Sequence, residues 1–195
     1  MKQLSSHDFE EVYKELDIDV DKLGCIMLDV DGSGIPEYEK FKSEDYLHTS
    51  ENPKRFWIKG FVAGKTPHVT LLYGLLKTGK EWQEQVDTVL RSWGIKYVTI
   101  KEVGVFNSNY PDEDYYCIIA HLDITETLLE GHRRLQFLPH IDTFASPYKA
   151  HITIAYVKKD EKIRDEVVAY YQKELAGKEL KVTALNYGGD KGEKV

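Results

Sequence analysis

Two short stretches of this 195-residue chain carry residues able to do acid–base chemistry, and they carry them in the same order. The first is Pro67-His68-Val69-Thr70-Leu71-Leu72-Tyr73-Gly74; the second is Ala150-His151-Ile152-Thr153-Ile154-Ala155-Tyr156-Val157. Aligned on histidine, both read His, β-branched, Thr, aliphatic, aliphatic or small, Tyr. In a strand, side chains alternate between faces, so His and Thr at i and i+2 point the same way. Val69, Leu71 and Tyr73, with Ile152, Ile154 and Tyr156 in the second copy, are then expected on the opposite, core-facing side. Each strand would present one imidazole beside one hydroxyl. Histidine titrates near neutrality and serves as acid or base. A fixed threonine hydroxyl can hold a phosphate oxygen where negative charge accumulates. Two such pairs, His68 with Thr70 and His151 with Thr153, facing one cleft suit phosphodiester chemistry. The set contains no carboxylate or third histidine at ligand spacing, so no metal or cofactor is called for.

A bare His-x-Thr triplet is a weak signal, since chance supplies roughly 0.4 of them in a chain of this composition. The surroundings of the two copies make the case. After the first, Thr78 and Glu81 have capping-box spacing and open an amphipathic run with Trp82, Val86, Val89, Leu90 and Trp93 that closes at Gly94. A strand at 96–100 follows. After the second, Asp160 is placed to cap a helix carrying Ile163, Val167, Tyr170, Tyr171 and Leu175 that closes near Gly177. A strand at 180–184 follows. The spacing from His68 to Val98 matches that from His151 to Val182 to within one residue. Strand, helix and strand recur, which marks an internal duplication.

Other elements must hold these copies in place. Ser6 is placed to cap a first helix with Phe9, Val12, Tyr13 and Leu16 on one face, and 24–30 reads as a buried strand. Asp29-Val30-Asp31-Gly32-Ser33-Gly34 has the opening of a calcium loop, but Lys40 stands where that loop needs a bidentate glutamate, so a turn is expected. The polar segment from Pro36 to Arg55 reads as a surface excursion beside the cleft. A hairpin joins the strand that starts at Lys96 to another at 115–122. A helix capped by Asp123 or Thr125 then carries Leu128, Leu129, His132, Leu135 and Leu138. His121, His132 and His140 lack the repeated context and read as scaffold. The fold class is α+β: two related antiparallel-sheet lobes flanked by helices, with a central cleft. A single domain is expected over 1–187, its duplicated halves around 56–107 and 115–187, with a disordered tail at 188–195.

Two His-x-Thr motifs, each on a strand of a duplicated α+β lobe, resemble the 2H phosphoesterase superfamily, whose members include "2′-5′ RNA ligase"-like proteins and RNA cyclic phosphodiesterases. Phage anti-CBASS enzymes, which destroy cyclic-nucleotide alarm signals, belong to it as well. The resemblance spans about 24–187. It is closest to phage-encoded members through Phe56-Trp57, the first motif, and Tyr115-Tyr116-Cys117-Ile118-Ile119-Ala120-His121-Leu122. It implies that His68 and His151 are the base and the acid, in an order the motif alone leaves open.

The net charge of −7 argues against a protein that grips a long polyanion through many phosphates. A compact anionic ligand, such as a cyclic di- or oligonucleotide or an RNA cyclic-phosphate end, is the expected partner, with no long duplex and no membrane. Cys25 and Cys117 each lie in an apolar run and read as buried, reduced thiols, which fits a cytoplasmic protein, in the host cell if phage-encoded. Trp57, Phe106, Tyr110 and Tyr148 lie near the motif strands or at loops bordering the cleft and are candidates for base contacts. Lys149, two residues before His151, is a candidate phosphate contact. The function expected is a metal-independent phosphodiesterase opening cyclic nucleotide signals. The alternatives are an RNA 2′,3′-cyclic or 2′-5′ phosphodiesterase and a catalytically silent nucleotide-binding module.

Overall fold

In a computed structural model, the protein is described over residues 23–49, 60, 67–106, 113–141 and 147–188. The expected first helix, Trp57, Tyr110 and residues 189–195 of the tail lie outside the described residues. Six strands form one antiparallel sheet: β1 (Gly24–Val30), β2 (His68–Leu75), β3 (Tyr97–Val105), β4 (Tyr115–Leu122), β5 (His151–Lys158) and β6 (Glu179–Gly188). Their order across the sheet is β2-β1-β6-β3-β4-β5. Gly188, assigned from sequence to the tail, is the last residue of β6 and pairs with Cys25. Among the described residues three α-helices accompany the sheet: α1 (Gln83–Val89), α2 (Glu126–Leu135) and α3 (Glu161–Leu175). None of them is long and apolar enough to cross a membrane.

The sheet is two three-stranded lobes, β2-β1-β6 and β5-β4-β3, joined where β3 meets β6 through Tyr97–Lys181, Val98–Leu180 and Thr99–Glu179. In chain order the repeat is an antiparallel strand pair (long-connected in both copies, with α2 between β4 and β5), then a helix, then a strand, and the third strand of each repeat crosses to the other lobe. Thus β3 follows the β1–β2 pair but lies beside β4, while β6 follows the β4–β5 pair but lies beside β1. This exchange makes neither half complete alone. The outermost strands, β2 and β5, come into contact with one another, so the sheet curls and brings the two motif copies together.

Local chemistry sets the helix boundaries. The Thr78–Glu81 capping box forms: Thr78 Oγ1 accepts from the Glu81 N–H at 3.3 Å, and the Glu81 carboxylate accepts from the Thr78 N–H at 3.1 Å. The run it opens is α-helical only to Val89, short of Gly94, and Ser92 takes the left-handed backbone there (φ 65°). Thr125, rather than Asp123, caps α2 by accepting from the Leu128 N–H at 3.2 Å. Asp160 caps α3 through the Lys162 and Ile163 N–H groups. The helix stops at Gly177, whose φ of 80° a residue with a Cβ rarely adopts. Asp31 accepts from the Ser33 N–H at 2.9 Å, closing the turn after β1.

Over its described part the polar stretch after Pro36 runs along the surface, as expected, and is pinned there by one buried ring. Phe41 is buried among Tyr38, Tyr46, Tyr170 and Tyr171, and the Tyr171 hydroxyl donates to the Pro36 carbonyl at 3.0 Å. Leu47 bridges to Val157, and the His48 N–H donates to the Tyr156 carbonyl, so this segment covers the outer edge of β5. Three aromatic rings at irregular spacing, Tyr38, Phe41 and Tyr46, make this packing, which a periodicity search does not register. Close packing also fixes the start of β1. A Cβ at Gly24 would lie 2.1 Å from the Lys77 carbonyl oxygen and 2.8 Å from the Gly79 nitrogen, both backbone atoms. Gly24→Ala is expected to cost about 2 kcal/mol, a fall in Tm of roughly 4–8 °C in a thermal melt.

Candidate active site

The registers of the two strand pairs superimpose. In lobe one Cys25 pairs with Tyr73, Ile26 with Leu72, Met27 with Thr70, Leu28 with Val69 and Asp29 with His68. In lobe two Cys117 pairs with Tyr156, Ile118 with Ala155, Ile119 with Thr153, Ala120 with Ile152 and His121 with His151. Both ladders skip a motif residue at the same place, Leu71 in β2 and Ile154 in β5, so both motif strands carry a bulge directly after the threonine; β2 has a second irregularity at Gly74 that β5 lacks. Val69, Leu71, Ile152 and Ile154 are fully buried, as expected. The tyrosines are not on their side. The extra residue shifts the alternation by one, and Tyr73 and Tyr156 sit opposite Cys25 and Cys117, on the face that carries His and Thr.

That face therefore holds, in lobe one, His68, Thr70 and Tyr73 with Asp29, Met27 and Cys25 opposite; in lobe two it holds His151, Thr153 and Tyr156 with His121, Ile119 and Cys117. The Thr70 hydroxyl is hydrogen-bonded to the Cys25 thiol, and the Thr153 hydroxyl to the Cys117 thiol. Burial pushes both thiols up to about 12, so they stay protonated at neutral pH. The two cysteines are a symmetric backing for the two motif threonines.

His151 Nδ1 lies 2.9 Å from the Lys149 carbonyl oxygen. A carbonyl can only accept, so Nδ1 carries the proton and the neutral ring presents a bare Nε2 lone pair. The His151 pKa is lowered from 6.5, first by burial and then by His121 and His68, against the opposing effect of the Lys149 carbonyl. The contact between β2 and β5 brings the two motif strands, and with them the two motif copies, together.

The candidate binding residues divide. Phe106, directly after β3, has its ring centroid 5.1 Å from that of His151. Lys149 is exposed and gives its backbone carbonyl to His151. Tyr148 is half-buried; its hydroxyl donates to the Thr70 carbonyl at 2.7 Å, and its ring stacks on His132 at 4.2 Å and 9°. His132 in turn places Nδ1 2.6 Å from the Leu71 carbonyl oxygen. Tyr148 and His132 therefore strap the segment before β5 to the bulge of β2, which couples one motif copy to the other.

Four residues on this face escaped the sequence reading as members of a site: Asp29, His121, Cys25 and Cys117. The signal that finds them is the pair Cys25-Ile26-x-x-Asp29 and Cys117-Ile118-x-x-His121. It extends the repeat to β1 and β4.

No curated protein matches the chain. Among solved structures it is similar to Kluyveromyces marxianus Usb1, at 13% identity and a TM-score of 0.46, over 91% of this chain and 98% of that one. It is also similar to the same organism's Usb1 with uridine monophosphate, at 12% identity and a TM-score of 0.41, over 81% and 84% of the two chains. A family profile covers residues 43–188, a span that takes in both motif strands and both exchanged strands. By that match, the chain belongs to the 2′-5′ RNA ligase superfamily.

Proposed function

We propose that the protein is a metal-independent nucleotide phosphodiesterase in which His68 and His151 act as an acid–base pair on one phosphate. The observation that carries this reading is the contact between the two motif strands, β2 and β5, which brings the two motif copies together. One imidazole takes the proton of the attacking hydroxyl while the other gives one to the leaving oxygen. Thr70 and Thr153 donate to the non-bridging oxygens. Each threonine hydroxyl stands beside a thiol that burial keeps protonated at neutral pH. Phe106 supplies an aromatic surface beside His151, and Lys149 a nearby positive charge. Membership of the 2′-5′ RNA ligase superfamily supports the reaction class.

The net charge of −7 favours a compact substrate over a long polyanion. Cyclic di- or oligonucleotides head the reading, with an anti-CBASS role in a host cytoplasm as its biological form. RNA ends bearing a 2′,3′-cyclic phosphate are the second reading, favoured by the family. Purified protein incubated in EDTA with cyclic dinucleotides, 2′,3′-cyclic nucleotides and 2′-5′ oligoadenylate separates them. Cleavage of the first alone supports the leading substrate class, and cleavage of cyclic-phosphate ends alone supports the second. Binding without cleavage, or activity that disappears in EDTA, contradicts the mechanism.

A further inference from the structure

The duplicated lobes match at almost every register position on the motif face, but they differ in charge at one. Opposite His68 stands Asp29; opposite His151, at the equivalent place, stands His121. We propose that this single difference divides the labour: Asp29 keeps His68 in its protonated form as the general acid, and His151, facing His121, is the general base. The assignment rests on the phosphodiesterase reading above.

Directly opposed residues in an antiparallel pair have Cβ atoms about 5 Å apart on the same face. A carboxylate at that separation favours imidazolium, and an imidazole does not. The Asn186 amide donates to both Asp29 carboxylate oxygens, at 3.3 and 3.4 Å, which fixes the carboxylate beside the ladder. In lobe two the balance runs the other way, with the Lys149 carbonyl alone opposing it. His151 is half-buried, and its pKa lies below 6.5 even though its Nδ1–H bond to the Lys149 carbonyl acts to raise it. It faces His121 on β4, His68 on β2 and the uncharged ring of Phe106. His121 has Glu102 as its own opposite on β3, and its ring lies beside Gly104. Asp29 on β1 stands opposite His68, and β5, which carries His151, lies against β2.

The step balances. A hydroxyl proton passes to His151 Nε2 as the new O–P bond forms, the P–O bond to the leaving oxygen breaks, and that oxygen takes a proton from His68. With a ribose 2′-hydroxyl as nucleophile the products are a 2′,3′-cyclic phosphate and a free 5′-hydroxyl. Exchange with water restores both imidazoles.

The test compares uridylyl-(3′,5′)-uridine, whose leaving alkoxide needs a proton, with uridine 3′-(4-nitrophenyl phosphate), whose nitrophenolate does not. His68→Ala is expected to lose about 10³-fold on the first and under about 10-fold on the second; His151→Ala loses about 10³-fold on both. Asp29→Asn should move the falling alkaline limb of kcat/KM on the dinucleotide down by about one pH unit. Its rising limb, below pH 6.5, should stay in place, and a thermal melt of the variant serves as the control for folding. The assignment is overturned if His151→Ala is the variant spared on the nitrophenyl ester, or if the Asp29→Asn and wild-type profiles superimpose. A wild-type protein that cleaves neither ester contradicts the phosphodiesterase reading itself, a result distinct from either of these.

Discussion

His68→Ala and His151→Ala should each lower kcat/KM on a nucleotide phosphodiester whose leaving group needs a proton by about 10³-fold while leaving the fold intact. The size follows from proton transfer. Without the base, the nucleophile must attack as a neutral hydroxyl; without the acid, the leaving oxygen departs as an alkoxide. The fold should survive because the histidines are half-buried on the motif face, whereas the residues that anchor their strands, Val69, Leu71, Ile152 and Ile154, are fully buried and untouched. Kinetics and a thermal melt on the same preparations check both halves of this expectation. Retained activity in either variant on such a substrate, with an unchanged melt, would remove that histidine from the mechanism.

Thr70→Val and Thr153→Val form the second large expectation, a loss of about 10²-fold in kcat from each with KM little altered. Valine keeps the shape and the strand preference of threonine and removes only the hydroxyl. The charge that these hydroxyls meet develops on the phosphate oxygens in the transition state, so ground-state binding should change little. The substitution also deprives a buried thiol of its partner, but a thiol is a weak donor, and the stability cost should stay within about 1 kcal/mol. Serine at either position should restore most of the rate. A rise in KM with kcat unchanged would instead make the threonines simple binding contacts.

Much of the fold is legible in the sequence because its strands and helices carry local signals. The α2 and α3 regions announce themselves through Thr125 and Asp160, and β1 and β4 through their apolar runs. The motif strands and their repetition are legible for the same reason. What is not legible depends on register between distant segments. One extra residue at Leu71 and Ile154 turns Tyr73 and Tyr156 to the motif face, and a strict period of two cannot foresee a bulge. The exchange of β3 and β6 between lobes leaves no trace in spacing, since each strand follows its own helix at the same distance whichever lobe it joins. Asp29 and His121 acquire meaning only when β1 and β4 are laid beside β2 and β5. Tyr148 was legible as a residue near the site. The structure puts its hydroxyl on the Thr70 carbonyl and its ring on His132, a pairing made by residues far apart in the chain.

The most direct measurement is a crystal structure of the protein with a non-cleavable nucleotide, such as a 2′-deoxy or phosphorothioate analogue of whichever compound it cleaves. The account predicts one phosphate held with the His68 and His151 imidazoles on opposite sides, each within hydrogen-bonding distance of its oxygens, and with Thr70 and Thr153 on the non-bridging pair. A nucleotide whose phosphate meets only one motif copy, or binds away from both, would contradict it.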